Sequence, residues 1–249
     1  MYVFYTDRYI INVGTGVAGS TYGGRQYPTY SQNDFHHYDN NVYANCEVDD
    51  YSNQENVQSC DLVGLPDLLT SSSYVQSQIA GYVNAMVNLG VAGIRIDAAK
   101  HQNSNEMAGY ISLLPKDLYI NQEVISGSNE AVTPSMYYNL GHVTEFQYST
   151  ELDQQFINGD LTYLTTFGEQ WGLMPSGTAC AFMDNHDTQR NGGALLTYKN
   201  ESMYYVASAF MLAWPYGDVR VMSSYYFTDT DAGPPGVGVD GGNNWLVLF

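Results

Sequence analysis

The chain has 249 residues, enough to bury a sizeable core as one large domain or as one domain with an excursion. Its 26 acidic and 8 basic residues give a formal charge of −18, which repels phosphate backbones and anionic lipid surfaces. No apolar run approaches the roughly 20 residues that span a bilayer, and the first residues lack the pattern of a signal peptide. We therefore expect neither nucleic acid nor a membrane as a partner.

Residues 13–66 are rich in Gly, Tyr, Asn, Asp and Ser and show almost no helical or alternating periodicity. A structureless loop of this length indicates a functional excursion that a disulfide or a metal holds in place. Cys46 and Cys60 flank a polar part of it and are either bonded to each other or two reduced core cysteines. The bond is favoured, because the loop is too polar to bury its own ends, and it would stabilise the fold by about 3 kcal/mol. Cys180 lies in an apolar run and is predicted to be a buried thiol.

From residue 67 onward, helical and strand patterns alternate. In the first predicted helix, Val75, Ile79, Tyr82, Val83 and Met86 recur at helical spacing and Gly90 follows at the stop position. The remaining predicted elements are, in order, a strand at GIRID, a helix near NEMAGYISLL, strands at LYINQEVI and HVTEFQY, a helix at STELDQQFI, a strand at ACAFMDNH, a helix at ESMYYVASAFMLAWP and a strand at VRVMSSY. Strands that alternate with helices predict a parallel sheet.

Acidic residues stand where three of these strands end: Asp97, Glu123 and Asp187. In a (β/α) barrel, the carboxyl ends of the strands converge on one mouth, so residues far apart in sequence meet around one substrate. No glycine-rich phosphate loop follows any strand. The pattern favours a barrel over an open doubly wound sheet.

Each motif alone has an ordinary structural interpretation. Arg95 and Asp97 share one face of a strand and could form a strand-end ion pair, and a lone strand-end Glu123 is weak evidence. The cluster of Asp184, His186 and Asp187 after an apolar run is more specific.

Together, GIRIDAAKH, QEVI and FMDNHD resemble three of the four signature segments of the alpha-amylase family of glycoside hydrolases, in its animal, chloride-dependent branch. The resemblance runs from about Asn12 to the FTDTDAGPP segment. It implies an α/β fold, an incomplete (β/α)8 TIM-type barrel with an irregular calcium-linked excursion. Residues 1–12 would be a remnant of a barrel strand, 13–66 the excursion and 67–249 the C-terminal part of the catalytic barrel.

The resemblance also implies roles for the three carboxylates. Asp97 would be the nucleophile, Glu123 the general acid/base, and Asp187 the residue that orients the sugar. Retaining hydrolysis needs one ionised and one protonated carboxyl about 5 to 5.5 Å apart. Arg95 would favour the ionised form of Asp97, while negative neighbours would raise the pKa of Glu123.

Further residues match the family's binding positions. The implied sugar-binding residues are Tyr51, Lys100, His101, Glu130 and His186. The implied chloride ligands are Arg95, Asn185 and Arg220, although Arg220 could instead pair with a carboxylate. The implied calcium ligands are Asn12, Gln58, Asp67 and His101, of which Gln58 and His101 would use carbonyl oxygens.

The chain departs from the family pattern near its start. The fourth signature segment should contain Asn-His, but Val13 follows Asn12, and Arg8 stands where an aspartate is expected. Two early strands, a last helix and a C-terminal domain of the family also have no counterpart. We therefore expect a fragment whose open sheet edges make it unstable or prone to aggregation.

The favoured function is endo-hydrolysis of α-1,4-glucosidic bonds in starch, glycogen and malto-oligosaccharides by a secreted monomer. The alternatives are a non-catalytic fragment that at most binds glucan, and a sister activity such as an exo-acting glucosidase or a transglycosylase.

Overall fold

The computed structural model describes residues 14–36 and 46–232, together with the backbone of Val247–Leu248. The chain divides into two compact units, Met1–Val143 and Thr144–Phe249. Asn12 and the strand remnant predicted for residues 1–12 lie outside the described residues. No helix in the described ranges is both long enough and apolar enough to cross a membrane.

The first unit contains parallel strands and the helices that cover them. Its elements are β1 (Gly14–Thr15), β2 (Thr21–Tyr22), α1 (Gln54–Ser59), α2 (Ser73–Asn88), β3 (Gly93–Ile96), α3 (Ser104–Ile111), β4 (Tyr119–Gln122) and β5 (His142–Thr144), whose last residue begins the second unit. Strands β3 and β4 pair in parallel with Ile94 opposite Ile120, and β4 pairs in parallel with β5. The predicted parallel arrangement is therefore confirmed for these strands.

Helix α2 confirms the first predicted helix. Val75, Ile79 and Val83 are buried on one face, as their helical spacing predicts. Tyr82 is 53% exposed and does not belong to that buried face. The helix ends just before Gly90, whose φ of +98° lies in the region that glycine adopts most easily.

The excursion is more regular than its composition predicts. It contains α1, whose N-terminus is capped by Asn53, since that side chain accepts hydrogen bonds from the N–H groups of Glu55 and Asn56. The prediction that residues 13–66 lack helical structure is therefore wrong for this segment. Cys46 and Cys60 form the predicted disulfide, which joins the end of α1 to the start of the described polar segment.

The second unit also pairs its motif strands in parallel. Its elements are α4 (Phe146–Asn158), β6 (Ala179–Phe182), α5 (Thr188–Asn191), α6 (Ser202–Ala213), β7 (Asp218–Arg220), β8 (Ser224–Tyr225) and β9 (Val247–Leu248). Strand β6 pairs in parallel with β7, and β8 pairs antiparallel with β9. Cys180 in β6 is a buried free thiol, as predicted.

Two predicted strands are shorter than the sequence pattern suggests. The strand at HVTEFQY ends at Thr144, because Glu145 caps α4 by accepting a hydrogen bond from the N–H of Gln147. The strand at VRVMSSY divides into β7 and β8, which pair with different partners.

Candidate active site

Two carboxylates lie side by side at the carboxyl ends of β3 and β4. The register of these strands sets Ile96 opposite Gln122, so Asp97 and Glu123 leave the sheet at the same edge. The N–H of Glu123 donates to the carbonyl of Ile96 at 3.0 Å, which continues the ladder up to the two acidic residues. The strand ends predicted from the sequence therefore bring this pair together.

Arg95 bridges the two carboxylates. One of its guanidinium nitrogens pairs with Asp97, and Nη2 lies 3.1 Å from Glu123 Oε1. The side chain of Asp97 is 35% exposed while that of Glu123 is only 13% exposed. Arg95 thus forms a strand-end ion pair, and it does so with both predicted catalytic groups rather than at an unrelated surface position.

The pKa of Glu123 is raised from its ordinary value. Burial is the largest cause, and the hydrogen bond and negative charge of Asp97 act in the same direction. The N–H of Ala98, which donates to Oε2 at 2.9 Å, and the charge of Arg95 oppose this shift. The predicted direction is confirmed, but burial contributes more than the negative neighbours to which the sequence pattern attributes it.

The turn after the first carboxylate holds Glu123 through the backbone. Ala98 has φ +47° and ψ +33°, a left-handed conformation that costs a residue with a Cβ about 1 kcal/mol or more. This conformation points the N–H of Ala98 at the Glu123 carboxylate, and the N–H of Lys100 donates to the Glu123 carbonyl at 3.2 Å. No pattern in the sequence predicts the left-handed conformation of this alanine.

Four of the five predicted sugar-binding residues form one cluster in the first unit. Lys100 Nζ lies 2.5 Å from Glu130 Oε2 and 4.5 Å from the centre of the Tyr51 ring. The rings of Tyr51 and His101 meet edge to face at 5.9 Å, and His101 Nδ1 lies 2.9 Å from the Val57 carbonyl oxygen. An aromatic face beside charged hydrogen-bonding groups suits a sugar ring with its hydroxyls.

Ionisation states in this cluster follow from its contacts. Burial acts to raise the pKa of Glu130, but the hydrogen bond and charge of Lys100 outweigh it and the pKa is lowered. Burial lowers the pKa of His101, so its ring favours the neutral form. Glu130 is therefore a charged acceptor, held by a lysine whose stem is buried.

Asp187 and His186 belong to the second unit, in the segment after β6. His186 Nε2 lies 3.2 Å from Asp187 Oδ2, and both side chains are about half exposed. The segment is shaped by Asn185, whose Oδ1 accepts hydrogen bonds from the N–H groups of Asp187 and Thr188. Asp184, just before it, is buried and accepts hydrogen bonds from Gln189 Nε2 and the Tyr204 hydroxyl.

No family model matches the chain, but the sequences of individual proteins are similar to it. An alpha-amylase of Streptomyces violaceus is 45% identical over 227 residues, which is 90% of this chain and 39% of that protein. An alpha-amylase of Tenebrio molitor is 42% identical over 250 residues, which is 94% of this chain and 51% of that protein.

The chain is similar to members of the alpha-amylase family over about nine tenths of its length. The crystal structure of alpha-amylase I from Eisenia fetida superposes on this chain with a TM-score of 0.84 and 38% sequence identity. The superposed region is 96% of this chain and 54% of the Eisenia chain. A variant of the same Eisenia protein has been solved with maltohexaose. The predicted fold class, part of a (β/α)8 barrel, is thereby confirmed, and the chain spans about half the length of the curated relatives it matches.

The chloride ligands expected in this family are of a type that suits an anion. Asn185 uses its oxygen for backbone N–H groups, which leaves its amide N–H groups as donors. Arg220 is exposed, and within the described ranges it forms no ion pair, so the carboxylate pairing considered for it is not found. Arg95 is engaged with Asp97 and Glu123, where an added anion would offset part of its charge.

The calcium ligands expected in this family are hard oxygens, as calcium requires. Asp67 is buried and burial raises its pKa, so a cation would reduce the cost of its charge. Its Oδ2 lies 2.8 Å from His36 Nδ1, a contact that the sequence did not predict. Gln58 and His101 are buried as well. Among the described residues, no group of three or more His, Cys, Asp or Glu side chains is arranged to hold a metal, so carbonyls would have to complete the site.

Proposed function

We propose that this chain is a retaining endo-hydrolase of α-1,4-glucosidic bonds in starch, glycogen and malto-oligosaccharides. The observation that carries the proposal is the Asp97 and Glu123 pair, which is bridged by Arg95 and in which the pKa of Glu123 is raised. The similarity to alpha-amylases, one of them solved with maltohexaose, supports the substrate class.

In this mechanism the two carboxyls have different tasks. The Asp97 carboxylate attacks the anomeric carbon while protonated Glu123 gives its proton to the departing glycosidic oxygen, which leaves a glycosyl ester on Asp97. Glu123, now ionised, takes a proton from water as that water attacks the anomeric carbon and releases Asp97. Burial suits Glu123 to the first step, because it favours the protonated form.

The other predicted residues would bind sugar. Asp187 would orient the ring at the cleavage position, and His186 would donate to it. The cluster of Tyr51, Lys100 and Glu130 would hold a further glucose unit by stacking and charged hydrogen bonds. These assignments come from the family resemblance, and the cluster's geometry supports the last of them.

The first experiment compares the chain with Glu123→Gln. We expect soluble starch to lose its iodine colour before reducing ends accumulate, as endo-cleavage requires, and the variant to be at least about 100-fold slower. Glu55→Gln is the matched control, since Glu55 is an exposed glutamate in α1. Equal rates for wild type and Glu123→Gln would refute the hydrolytic function. Retained maltohexaose binding in that case would favour the non-catalytic glucan-binding alternative.

We also propose that calcium and chloride support the site. Calcium held by Asp67 and by carbonyls such as those of Gln58 and His101 would tie the excursion to the rest of its unit. Chloride near Arg95, Asn185 and Arg220 would moderate the positive charge that lowers the pKa of Glu123. A chelator should lower the melting temperature, and transfer to chloride-free buffer should reduce activity. Activity that does not depend on chloride would refute the second assignment.

We also propose, from the family resemblance, that the protein is secreted and monomeric. The disulfide between Cys46 and Cys60 supports an oxidising compartment, where such bonds persist. Sedimentation of the protein recovered from a secreting host would test both statements.

A further inference from the structure

A buried tyrosine holds the turn that carries the predicted sugar-binding lysine. Tyr137 follows a short 3-10 turn, Pro134–Met136, and is completely buried. Its hydroxyl lies 2.7 Å from the carbonyl oxygen of Gln102 and 3.1 Å from that of Lys100. One phenol therefore contacts two carbonyls of the turn formed by residues 98–102.

The same hydroxyl also receives a hydrogen bond. Gln58 Nε2 in α1 donates to Tyr137 Oη at 2.9 Å. A tyrosine phenol is protonated at neutral pH, so this hydroxyl is also a donor to the turn. Both the donor and acceptor functions of this hydroxyl are satisfied by buried partners from distant parts of the chain.

The turn is fixed at two points. At its start, Ala98 donates to the Glu123 carboxylate and Lys100 N–H donates to the Glu123 carbonyl. At its end, Tyr137 holds the carbonyls of Lys100 and Gln102. The backbone of Lys100 is thus held on both sides, and this fixes the point from which its side chain reaches Glu130 and the Tyr51 ring.

We propose that Tyr137 is a positioning residue for saccharide binding, which acts by holding the backbone of Lys100. This inference rests on the proposed function, because it takes Lys100 to contact the sugar. The bond-cleaving pair is held mainly by Arg95 and by the start of the turn, so loss of the phenol should weaken binding more than it slows cleavage.

The test uses Tyr137→Phe, which removes one oxygen and keeps the ring. In kinetics, we expect KM for maltohexaose to rise about 10-fold while kcat falls less than about 3-fold, since uniform binding is what is lost. In the Glu123→Gln background, where hydrolysis is suppressed, titration calorimetry should show a similar rise in Kd for maltohexaose.

A double-mutant cycle with Lys100→Met separates positioning from general support. If Tyr137 acts through Lys100, then Tyr137→Phe should raise Kd much less when Lys100 is already replaced. Tyr110→Phe is the matched control, because Tyr110 is also buried and its hydroxyl donates to the Gln102 side chain at 3.0 Å. That control should lose stability without a change in Kd.

Several outcomes would overturn the proposal: an unchanged Kd in Tyr137→Phe, additive effects in the cycle, an equal rise in Kd in Tyr110→Phe, or no maltohexaose binding by any variant. An inactive wild type that still shows the coupled loss of binding would refute the hydrolytic function alone. If Tyr137→Phe does not fold, Gln58→Met removes the donor to the phenol and should raise Kd in the same direction by a smaller factor. No rise in that variant would also overturn the proposal.

Discussion

Asp153 is a buried carboxylate that should make the protein less stable as pH rises. It lies in α4, is completely buried, and accepts hydrogen bonds through Oδ2 from the N–H groups of Leu195 and Leu196. Within the described ranges, Oδ1 has no hydrogen-bond partner. Burial and the nearby charge of Asp184 raise the pKa of Asp153 to about 7, although the two N–H groups act to lower it. The perturbation is Asp153→Asn, which keeps the shape and the accepting oxygen but cannot ionise.

The sign of the effect follows from the direction of the pKa shift. The folded pKa lies above the ordinary value of 3.8, so the folded chain binds this proton more tightly than the unfolded chain does. The resulting stability is fully present below pH 3.8 and is lost as pH rises towards 7. A pKa difference of one between the folded and the unfolded chain corresponds to about 1.4 kcal/mol, so the total loss of stability approaches about 4 kcal/mol. Between pH 5 and pH 8 it amounts to about 2 to 3 kcal/mol.

Urea unfolding at pH 5 and at pH 8, followed by tryptophan fluorescence, measures this difference. We expect the free energy of unfolding of Asp153→Asn to exceed that of the wild type by about 2 to 3 kcal/mol more at pH 8 than at pH 5, with m-values unchanged. Any fixed cost of the new amide cancels in this comparison. Asp160→Asn is the control, because Asp160 is exposed and its pKa is lowered by hydrogen bonds from Thr162, so it stays ionised at both pH values. Parallel pH profiles for wild type and Asp153→Asn would refute the reasoning.

Three further predictions concern the first unit. Arg95→Gln removes a charge that lowers the pKa of Glu123, so the alkaline limb of the kcat/KM profile should move to higher pH; an unmoved limb would contradict this electrostatic role. Ala98→Gly relieves a left-handed backbone and should raise the free energy of unfolding by about 0.5 to 1 kcal/mol, as denaturant titration would show; a loss of stability would mean that the methyl group is needed for packing. Replacing Cys46 and Cys60 together by Ser should cost about 3 kcal/mol in the same titration, and an unchanged midpoint would show that the excursion is held by other contacts.

The elements that can be predicted from the sequence are those whose signals are local. Helix α2 follows from three buried residues at helical spacing, and β3 and β6 follow from short apolar runs that end in acidic residues. The errors arise where a cap or a change of partner interrupts a continuous apolar pattern. Glu145 caps α4 within a run that otherwise resembles a strand, and α1 forms in a segment too polar to show a periodic face.

The site is predictable to the extent that its residues lie at strand ends. Asp97 and Glu123 follow adjacent parallel strands, and the rule that such ends share one edge is enough to bring them together. Tyr137 and Asp153 could not be predicted, because their partners lie between 35 and 79 residues away and no local pattern marks them. A buried polar side chain is recognised only by the groups that satisfy it, and the sequence does not show which groups those are.

The balance of forces on Glu123 shows why this limit matters for chemistry. Its position at a strand end identifies it as a candidate acid. Its pKa, which decides how far it is protonated at a given pH, is set by effects that oppose one another. Burial and Asp97 favour the protonated form. The charge of Arg95 and the hydrogen bond from the Ala98 N–H favour the ionised form. The sequence shows Asp97 and Arg95 close by but neither the burial nor the turn. Because burial is the largest of these influences, changes that open the site to water should lower the pKa of Glu123 more than removal of the Asp97 carboxylate would.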